Sequence, residues 1–389
     1  MAENRKKILI FSLVYYPNPI GGAEVAIKEI TDRIDPKDIE FHMVTLRFDS
    51  NLPKIEKIGN VGVHRVGGNK LSFPFLAFLK ARQLHKKNKY DAIWAMMAAY
   101  AGFAALFFKL THPKVPYLLT LQEGDPIDYI KKKVRFVYPL FRMIFTKADV
   151  IQVISNFLGD WARRMGFNGP IEFIPNGFSK ESFFDKYSVE EVEELKKKFG
   201  KKKDDVYLVT VSRLVHKNAV DDVIRAMQFL PANIYFIVVG GGPDEEMLKN
   251  LAKDFGVAKR VKFIGQVDRT ETAKYRKISD IFIRPSRSEG MGNSFISTMV
   301  AKLPIITTQE GGIADFLFDA RRNPDKPTTG WAVDKDSPEQ IAEAVKDILT
   351  HPEQVKKVVE NAYNLAVRDY NWDFIAKDMR KKVFSKAWE

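Results

Sequence analysis

A chain of 389 residues, 45% hydrophobic and carrying a net charge of +13, is longer than one hydrophobic core usually serves and apolar enough to build two. It has no cysteine, which excludes a disulfide framework, a zinc–thiolate centre and a thiol nucleophile, and it points to a reducing compartment, the cytoplasm by default. The charge is uneven: residues 1–178 hold 26 Lys and Arg against 16 Asp and Glu, and the remainder 36 against 33.

The apolar run Ile8 to Tyr16 is too short for a signal peptide and meets Pro17 and Pro19, and Ala98 to Leu110 is too short to span a bilayer. A soluble or peripheral chain is expected. A basic half suits nucleic acid, anionic lipid or an anionic small molecule, but the aromatics fall in helix-like stretches and no nucleic-acid motif occurs, so no nucleic-acid partner is expected.

In chain order, Lys7 to Leu13 reads as a buried strand, followed by a glycine-rich turn with Gly21 and Gly22 and a helix of about ten residues. The turn lacks the G-x-G-x-x-G spacing of dinucleotide binders. Strands follow at Ile39 to Leu46, Val61 to Val66, Tyr90 to Trp94, Val115 to Leu121, Asp149 to Ile154 and Ile171 to Ile174. Helices fall at Leu71 to Lys87, Ala98 to Leu110, Lys131 to Phe145 and Ser155 to Met165. The charged stretch Lys180 to Asp205 reads as a linker. A second alternation has strands at Val206 to Ser212, Ile234 to Val239, Val261 to Ile264, Ile281 to Ile283, after Pro304 and at Trp331 to Val333. Helices close the chain at Pro338 to Leu349, Pro352 to Asp369 and Trp372 to Trp388. Strands alternating with helices indicate parallel, doubly wound sheets, whose ligands sit at strand C-termini.

The loop Ser288-Glu-Gly-Met-Gly-Asn293 lies between a strand and the helix Ser294 to Leu303. Glycines there let backbone N–H groups approach a ligand, and the helix dipole favours an anion, so Gly290, Met291, Gly292, Asn293 and Ser294 are a candidate phosphate cradle. Glu289 beside it fits sugar hydroxyls rather than phosphate, and the two together suggest a nucleotide sugar. The simpler alternative is an ordinary helix start capped by Asn293 or Ser294. His42, His64, His85, His112, His216 and His351 are scattered singly and give no ligand set. The only D-x-D is Asp334-Lys-Asp336, after the last strand, so no metal site is expected.

Seven motifs in one order carry a resemblance: Pro19-Ile-Gly-Gly-Ala-Glu24, Ile174-Pro-Asn-Gly-Phe178, Val211-Ser-Arg-Leu-Val215, Val239-Gly-Gly-Gly-Pro243, Phe263-Ile-Gly265, Arg284-Pro-Ser-Arg-Ser-Glu-Gly-Met-Gly292 and Gly311-Gly-Ile313. Over essentially its whole length the chain resembles the retaining nucleotide-sugar glycosyltransferases of group 1, family four. The resemblance implies the GT-B fold, two Rossmann-like doubly wound α/β domains facing across a cleft. Residues 1–178 would bind acceptor and 179–369 the donor, with a terminal helix at about 370–389 crossing back onto the first. It implies that Arg213, and Lys217 in place of the usual lysine position held by Asn218, balance the leaving diphosphate, a role suited to a guanidinium's planar fork. Glu289 and the 290–294 amides would hold donor sugar and phosphate, Gly241, Gly265 and Gln266 would line the nucleotide, and Gly21 and Gly22 would close the cleft.

Two departures stand out. Ser297 replaces the second glutamate of the family's E-x7-E, weakening the usual ribose grip, and Gln122 replaces a histidine facing the donor sugar. Glutamine does not exchange protons near neutral pH but hydrogen-bonds a hydroxyl. Front-face attack, with the leaving phosphate taking the acceptor proton, does not require that histidine. No cofactor is implied; the donor is a UDP- or GDP-sugar, and the acceptor a saccharide or lipid-linked hydroxyl. The helices Leu71 to Lys89 and Ile130 to Lys147 mix aromatics with lysines, which suits an anionic membrane surface or core helices with solvated basic ends. A non-catalytic nucleotide-sugar-binding protein and a dinucleotide-dependent oxidoreductase are the competing readings.

Overall fold

A computed structural model describes residues 5–17, 21–178 and 187–388. It divides into two compact units, Met1–Gly177 with Trp372–Glu389, and Phe178–Asn371.

The first unit holds strands β1 (Lys6–Phe11), β2 (Ile39–Leu46), β3 (Ile55–Ile58), β4 (Val61–Val66), β5 (Ala92–Met96), β6 (Tyr117–Leu121), β7 (Val150–Val153) and β8 (Ile171–Phe173). Its helices are α1 (Gly22–Asp32), α2 (Phe73–Asn88), α3 (Tyr100–Thr111), α4 (Ile127–Val134), α5 (Tyr138–Thr146) and α6 (Asn156–Arg164). The sheet runs β3-β4-β2-β1-β5-β6-β7-β8, parallel throughout except for the antiparallel β3–β4 pair. Strands covered on both faces must be apolar without alternation. Ile8, Leu9, Ile10 and Phe11 of β1 are accordingly all fully buried.

The sequence reading overlooks β3, whose side chains alternate between exposed and half-buried; it is held by pairing with β4 rather than by a core of its own. The single helix expected over Lys131 to Phe145 is two. A short 3₁₀ turn, Arg135–Val137, separates α4 from α5, and Pro139 sits in the first turn of α5, where its missing N–H costs nothing; inside a continuous helix it would break the ladder.

The second unit holds helices α7 (Val189–Phe199), α8 (Val220–Ala226), α9 (Glu245–Asp254), α10 (Thr272–Lys277), α11 (Asn293–Val300), α12 (Pro338–Thr350) and α13 (Pro352–Asp369). They surround strands β9 (Val206–Val211), β10 (Ile234–Val239), β11 (Val261–Gly265), β12 (Ile281–Arg284), β13 (Ile305–Thr307) and β14 (Trp331–Ala332). All pairs are parallel, in the order β11-β10-β9-β12-β13-β14. Counted within the unit this is 3-2-1-4-5-6, the order of a mononucleotide-binding double winding, with its switch point between β9 and β12. Part of the expected linker, residues 180–186, lies outside the described residues. The rest contains α7, closed at one end by a Ser188–Glu191 capping box and at the other by left-handed Gly200.

After α13 the chain returns to the first unit. Trp372, Ile375, Met379, Val383, Phe384 and Ala387 join the core that contains Trp94 and Phe41. The expected single terminal helix is α14 (Trp372–Asp378), continued by a π-helical turn, Met379–Phe384, and a 3₁₀ turn. The widened turn brings Phe384 edge-on to Trp94, with ring centres 5.1 Å apart.

Candidate functional site

The switch point of the second unit gathers the loops that leave β9 and β12. After β9, Arg213 is exposed and its guanidinium forms no ion pair with the described residues, while Lys217 is half-buried. Buried Asn218 donates its amide to the Arg213 carbonyl at 2.6 Å, fixing the turn that presents the arginine. The residue at the family's usual lysine position is thus a loop brace. The Lys217 carbonyl accepts the Arg287 N–H at 2.7 Å, which stitches the β9 loop to the β12 loop. Arg287 also bridges Asp221 and Asp222 of α8, at 2.8 and 2.9 Å, and Asp336 at 2.6 Å. Burial and the neighbouring Asp221 push the Asp222 carboxyl up to about 6.

Within the β12 loop, the buried Arg284 donates to Glu289 at 2.8 Å, and the other Glu289 oxygen accepts the Gly290 N–H at 3.0 Å. Both carboxylate oxygens are therefore anchored, and the acid holds one orientation. Arg284 lies over the Phe295 ring, 4.1 Å from its centre; burial lowers its pKa and Glu289 works against that shift. The cap of α11 is Gly292, not Asn293 or Ser294. Its φ is +85°, and a Cβ there would lie 2.6 Å from Arg284 Nη2, so a side chain at this position would displace the arginine that steadies Glu289. Met291 is buried and Asn293 is half-buried. The Ser294 hydroxyl donates to the Val211 carbonyl at 3.1 Å. Ser297 is buried, and its proton is already given to the Asn293 carbonyl at 3.0 Å. A serine using its hydroxyl on its own helix is not a ribose grip.

The neighbouring strand ends complete this edge. Leu214 donates to the Gly241 carbonyl at 3.0 Å, and Gly240 to the Gly265 carbonyl at 2.9 Å, with Gln266 exposed beyond. On the other side, Gly312 donates to the Glu289 carbonyl at 3.1 Å. Asp336 and Asp334 of the D-x-D answer Arg287 and Arg322. Among the described residues no group of three His, Asp or Glu is arranged to hold a metal.

In the first unit, Pro19 and Ile20 of the glycine-rich turn lie outside the described residues. Gly21 precedes α1 and donates to Glu24 at 2.6 Å, and Gly22 is exposed. At the end of β6 the Gln122 side-chain amide pairs reciprocally with that of Asn176, at 3.1 and 3.0 Å. Asn176 and Glu123, which bonds the Gln122 N–H at 3.0 Å, are neighbours that sequence reasoning passed over. The Gln-Glu-Gly-Asp-Pro run at a strand C-terminus is the signal that was available.

The histidines prove less scattered than their sequence positions suggest. His64, His42, Tyr90, His85 and His112 form a continuous file of rings, with successive centres 5.6, 5.5, 6.1 and 5.1 Å apart. His42 is held between Tyr90 and Glu40 at 2.7 and 2.9 Å. Burial, then His42 and Lys80, lower the His64 pKa to about 4.

Two doubly wound units, the second with basic and glycine-bearing loops at its switch point, define an α/β protein of the nucleotide-binding class. Residues 20–182 match the model of Glycosyltransferase Family 4, and residues 191–365 that of Glycosyl transferases group 1. By these matches, which take in both units, the chain belongs to the group 1 glycosyltransferases. It is 25% identical over 388 residues to an uncharacterised glycosyltransferase of Methanocaldococcus jannaschii, covering 96% of each chain. It is 26% identical over 309 residues to the GDP-mannose-dependent α-(1-6)-phosphatidylinositol monomannoside mannosyltransferase of Mycobacterium tuberculosis, covering 77% of each. The crystal structure of Anabaena HepE in complex with UDP and glucose superposes with a TM-score of 0.79 at 17% identity, over 98% of this chain and all of that one. That likeness fixes the fold as GT-B.

Proposed function

We propose that this glycosyltransferase moves a hexosyl group from a nucleoside diphosphate sugar to a hydroxyl acceptor with retention of configuration and without a metal. The observation that carries the reading is the junction of β9 and β12, where Arg213 and Lys217 belong to one loop and the anchored Glu289 to the next, tied together through Arg287. The diphosphate lies against the 290–294 amides and the two cations, which offset the charge that grows on the leaving group. Glu289, steadied by Arg284, accepts hydrogen bonds from the sugar hydroxyls; Gly241, Gly265 and Gln266 face the nucleotide. The bond from the anomeric carbon to phosphate oxygen breaks, the bond to the acceptor oxygen forms on the same face, and the acceptor proton passes to the departing phosphate. Gln122 orients the sugar.

The relatives support UDP or GDP as the nucleotide, since one is GDP-mannose-dependent and a structural neighbour holds UDP. The phosphatidylinositol acceptor named for the mycobacterial relative favours a lipid-linked acceptor reached from a cytoplasmic membrane face. α4 and α5 suit that role. None of the residues of α4 is buried, Phe136 is 84% exposed, and Tyr129, Val137, Tyr138 and Leu140 are exposed beside Lys131, Lys132, Lys133 and Arg135. α2 fits less well, because Phe73, Ala77, Ala81 and Leu84 are buried. Among the described residues no helix is long and apolar enough to cross a membrane.

The test is turnover with UDP-, GDP- and ADP-sugars, preselected by thermal stabilisation. Arg213→Ala and Glu289→Ala each lower kcat/KM by about a hundredfold or more with the melting temperature retained. Full activity in both variants ends the assignment. The spent Ser297 hydroxyl favours a second reading, donor binding without chemistry, which predicts stabilisation by a nucleotide sugar but neither transfer nor donor hydrolysis.

A further inference from the structure

Glu123 follows Gln122 at the end of β6, is 6% exposed, and makes no ion pair with the described residues. Its two oxygens reach different turns. One accepts the N–H of Ala98 at 2.5 Å and the other the N–H of Gln122 at 3.0 Å. Ala98 follows Met97, whose φ of +72° lies where residues with a side chain rarely settle, and it leads directly into α3. A buried carboxylate that bridges a strained turn after β5 to the peptide after β6 acts as a strut between adjacent strand ends. The Gln122 side chain leaves from one end of that strut and is clasped on its far side by Asn176.

We propose that Glu123 is a positioning residue, whose carboxylate locks the Met97–Ala98 turn and the Gln122 peptide so that the Gln122 amide meets the donor sugar in one orientation. The inference rests on the sugar-facing role given to Gln122. It adds a pH response to that role. The ionised acid accepts at both oxygens as a strong acceptor; once protonated, its hydroxyl oxygen is a much poorer acceptor and one of the two N–H bonds is weakened. Burial, helped by Asp125 in the same loop and opposed by the backbone N–H bonds, pushes the Glu123 pKa up to about 7. The other titratable group acting with it is the Tyr117 phenol of β6, whose own ionisation is suppressed by burial and by Glu123. From the β5–α3 turn Glu123 receives the Ala98 N–H.

The experiment follows the amide resonances of Ala98 and Gln122 in the full-length protein between about pH 5.5 and 8.5, with kcat and KM measured over the same range. Both amides are expected to titrate together with a midpoint near neutrality, and kcat to fall on the acid side with the same midpoint. In Glu123→Gln the amide titration and the acid limb disappear, and kcat drops on the order of tenfold while the donor KM changes little. Glu123→Asp keeps a titration with a displaced midpoint. Amides that do not titrate in the wild type, or an acid limb unchanged in Glu123→Gln, overturn the proposal. If no sugar nucleotide supports transfer, the transferase reading fails separately, and the amide titration still decides whether Glu123 locks the two turns.

Discussion

Two glycines in the second unit share a backbone conformation and differ in their surroundings, which permits a matched test. Gly311 has φ +60° and Gly200 φ +69°. An alanine at either site bears the left-handed strain of an L-residue, about 1–2 kcal/mol, or roughly 2–8 °C in melting temperature for a unit of this size. At Gly200 nothing lies within 4 Å of the new Cβ, whereas at Gly311 it would stand 2.0 Å from the Glu289 carbonyl oxygen. The Cβ is fixed by the backbone of residue 311 and meets a backbone oxygen, so no rotamer relieves the clash. The Glu289 segment must retreat by roughly 1.5 Å to restore van der Waals contact, breaking its bond to the Gly312 N–H. A displacement of that size at a reacting centre costs about a hundredfold in turnover. Melting curves with steady-state transfer assays on Gly311→Ala and Gly200→Ala make the comparison. The expected outcome is lost stability in both, with lost kcat/KM in Gly311→Ala alone. Normal turnover in Gly311→Ala, or an equal loss in Gly200→Ala, refutes the placing of Glu289 at the reacting centre.

His64→Phe tests the ring file. A histidine whose folded pKa lies near 4, below the ordinary 6.5, leaves stability intact above pH 6.5 and subtracts from it as pH falls toward 4; the variant's melting temperature should decline less over that interval, and an identical decline counts against the file. Arg287→Leu leaves Asp221 and Asp222 with Arg225 as the cation they still share among the described residues and should cost about 1–3 kcal/mol in denaturant unfolding at neutral pH. Part of this returns as pH falls toward about 6, because Arg287 holds the Asp222 pKa down and the variant's Asp222 takes its proton at higher pH, and a pH-independent cost would contradict the network. Replacing Lys131, Lys132 and Lys133 by glutamate should weaken co-sedimentation with anionic vesicles by roughly a hundredfold or more, at about 1 kcal/mol for each cation removed. Equal binding to neutral and anionic vesicles disproves the contact of these lysines with anionic lipid.

Strand order along the chain was legible because buried strands leave apolar runs, continuous in β10 and alternating in β4 and the first half of β2, and all three end where the sequence places them. What periodicity cannot carry is adjacency. That β12 lies beside β9, across 69 intervening residues from Val211 to Ile281, is what joins the loop of Arg213 to the loop of Glu289, and only the motif order hinted at it. Glu289 and the glycines were visible as a loop before a helix, but the buried Arg284 that orients the acid looked like one more basic residue. The sequence shows that Ser297 is a weaker ribose contact than a glutamate, but not that its hydroxyl is engaged by the Asn293 carbonyl. The edge strand β3, exposed on one face and half-buried on the other, left too weak an apolar signature to be seen.

The return of the chain after Asn371 bears on how the protein is made. The sheet of the first unit is synthesised before the second unit, yet Phe384 and Met379, which seal its core against Trp94 and Phe41, leave the ribosome only after it. Ion pairs from Arg33 to Asp373 and from Arg380 to Asp38 close the same seam. The second unit is an uninterrupted stretch and holds all its core residues sooner. Its folding can therefore finish first, while the older segment waits, incompletely covered, for a closing helix that arrives about two hundred residues later, which exposes it to chaperones and proteases for longer.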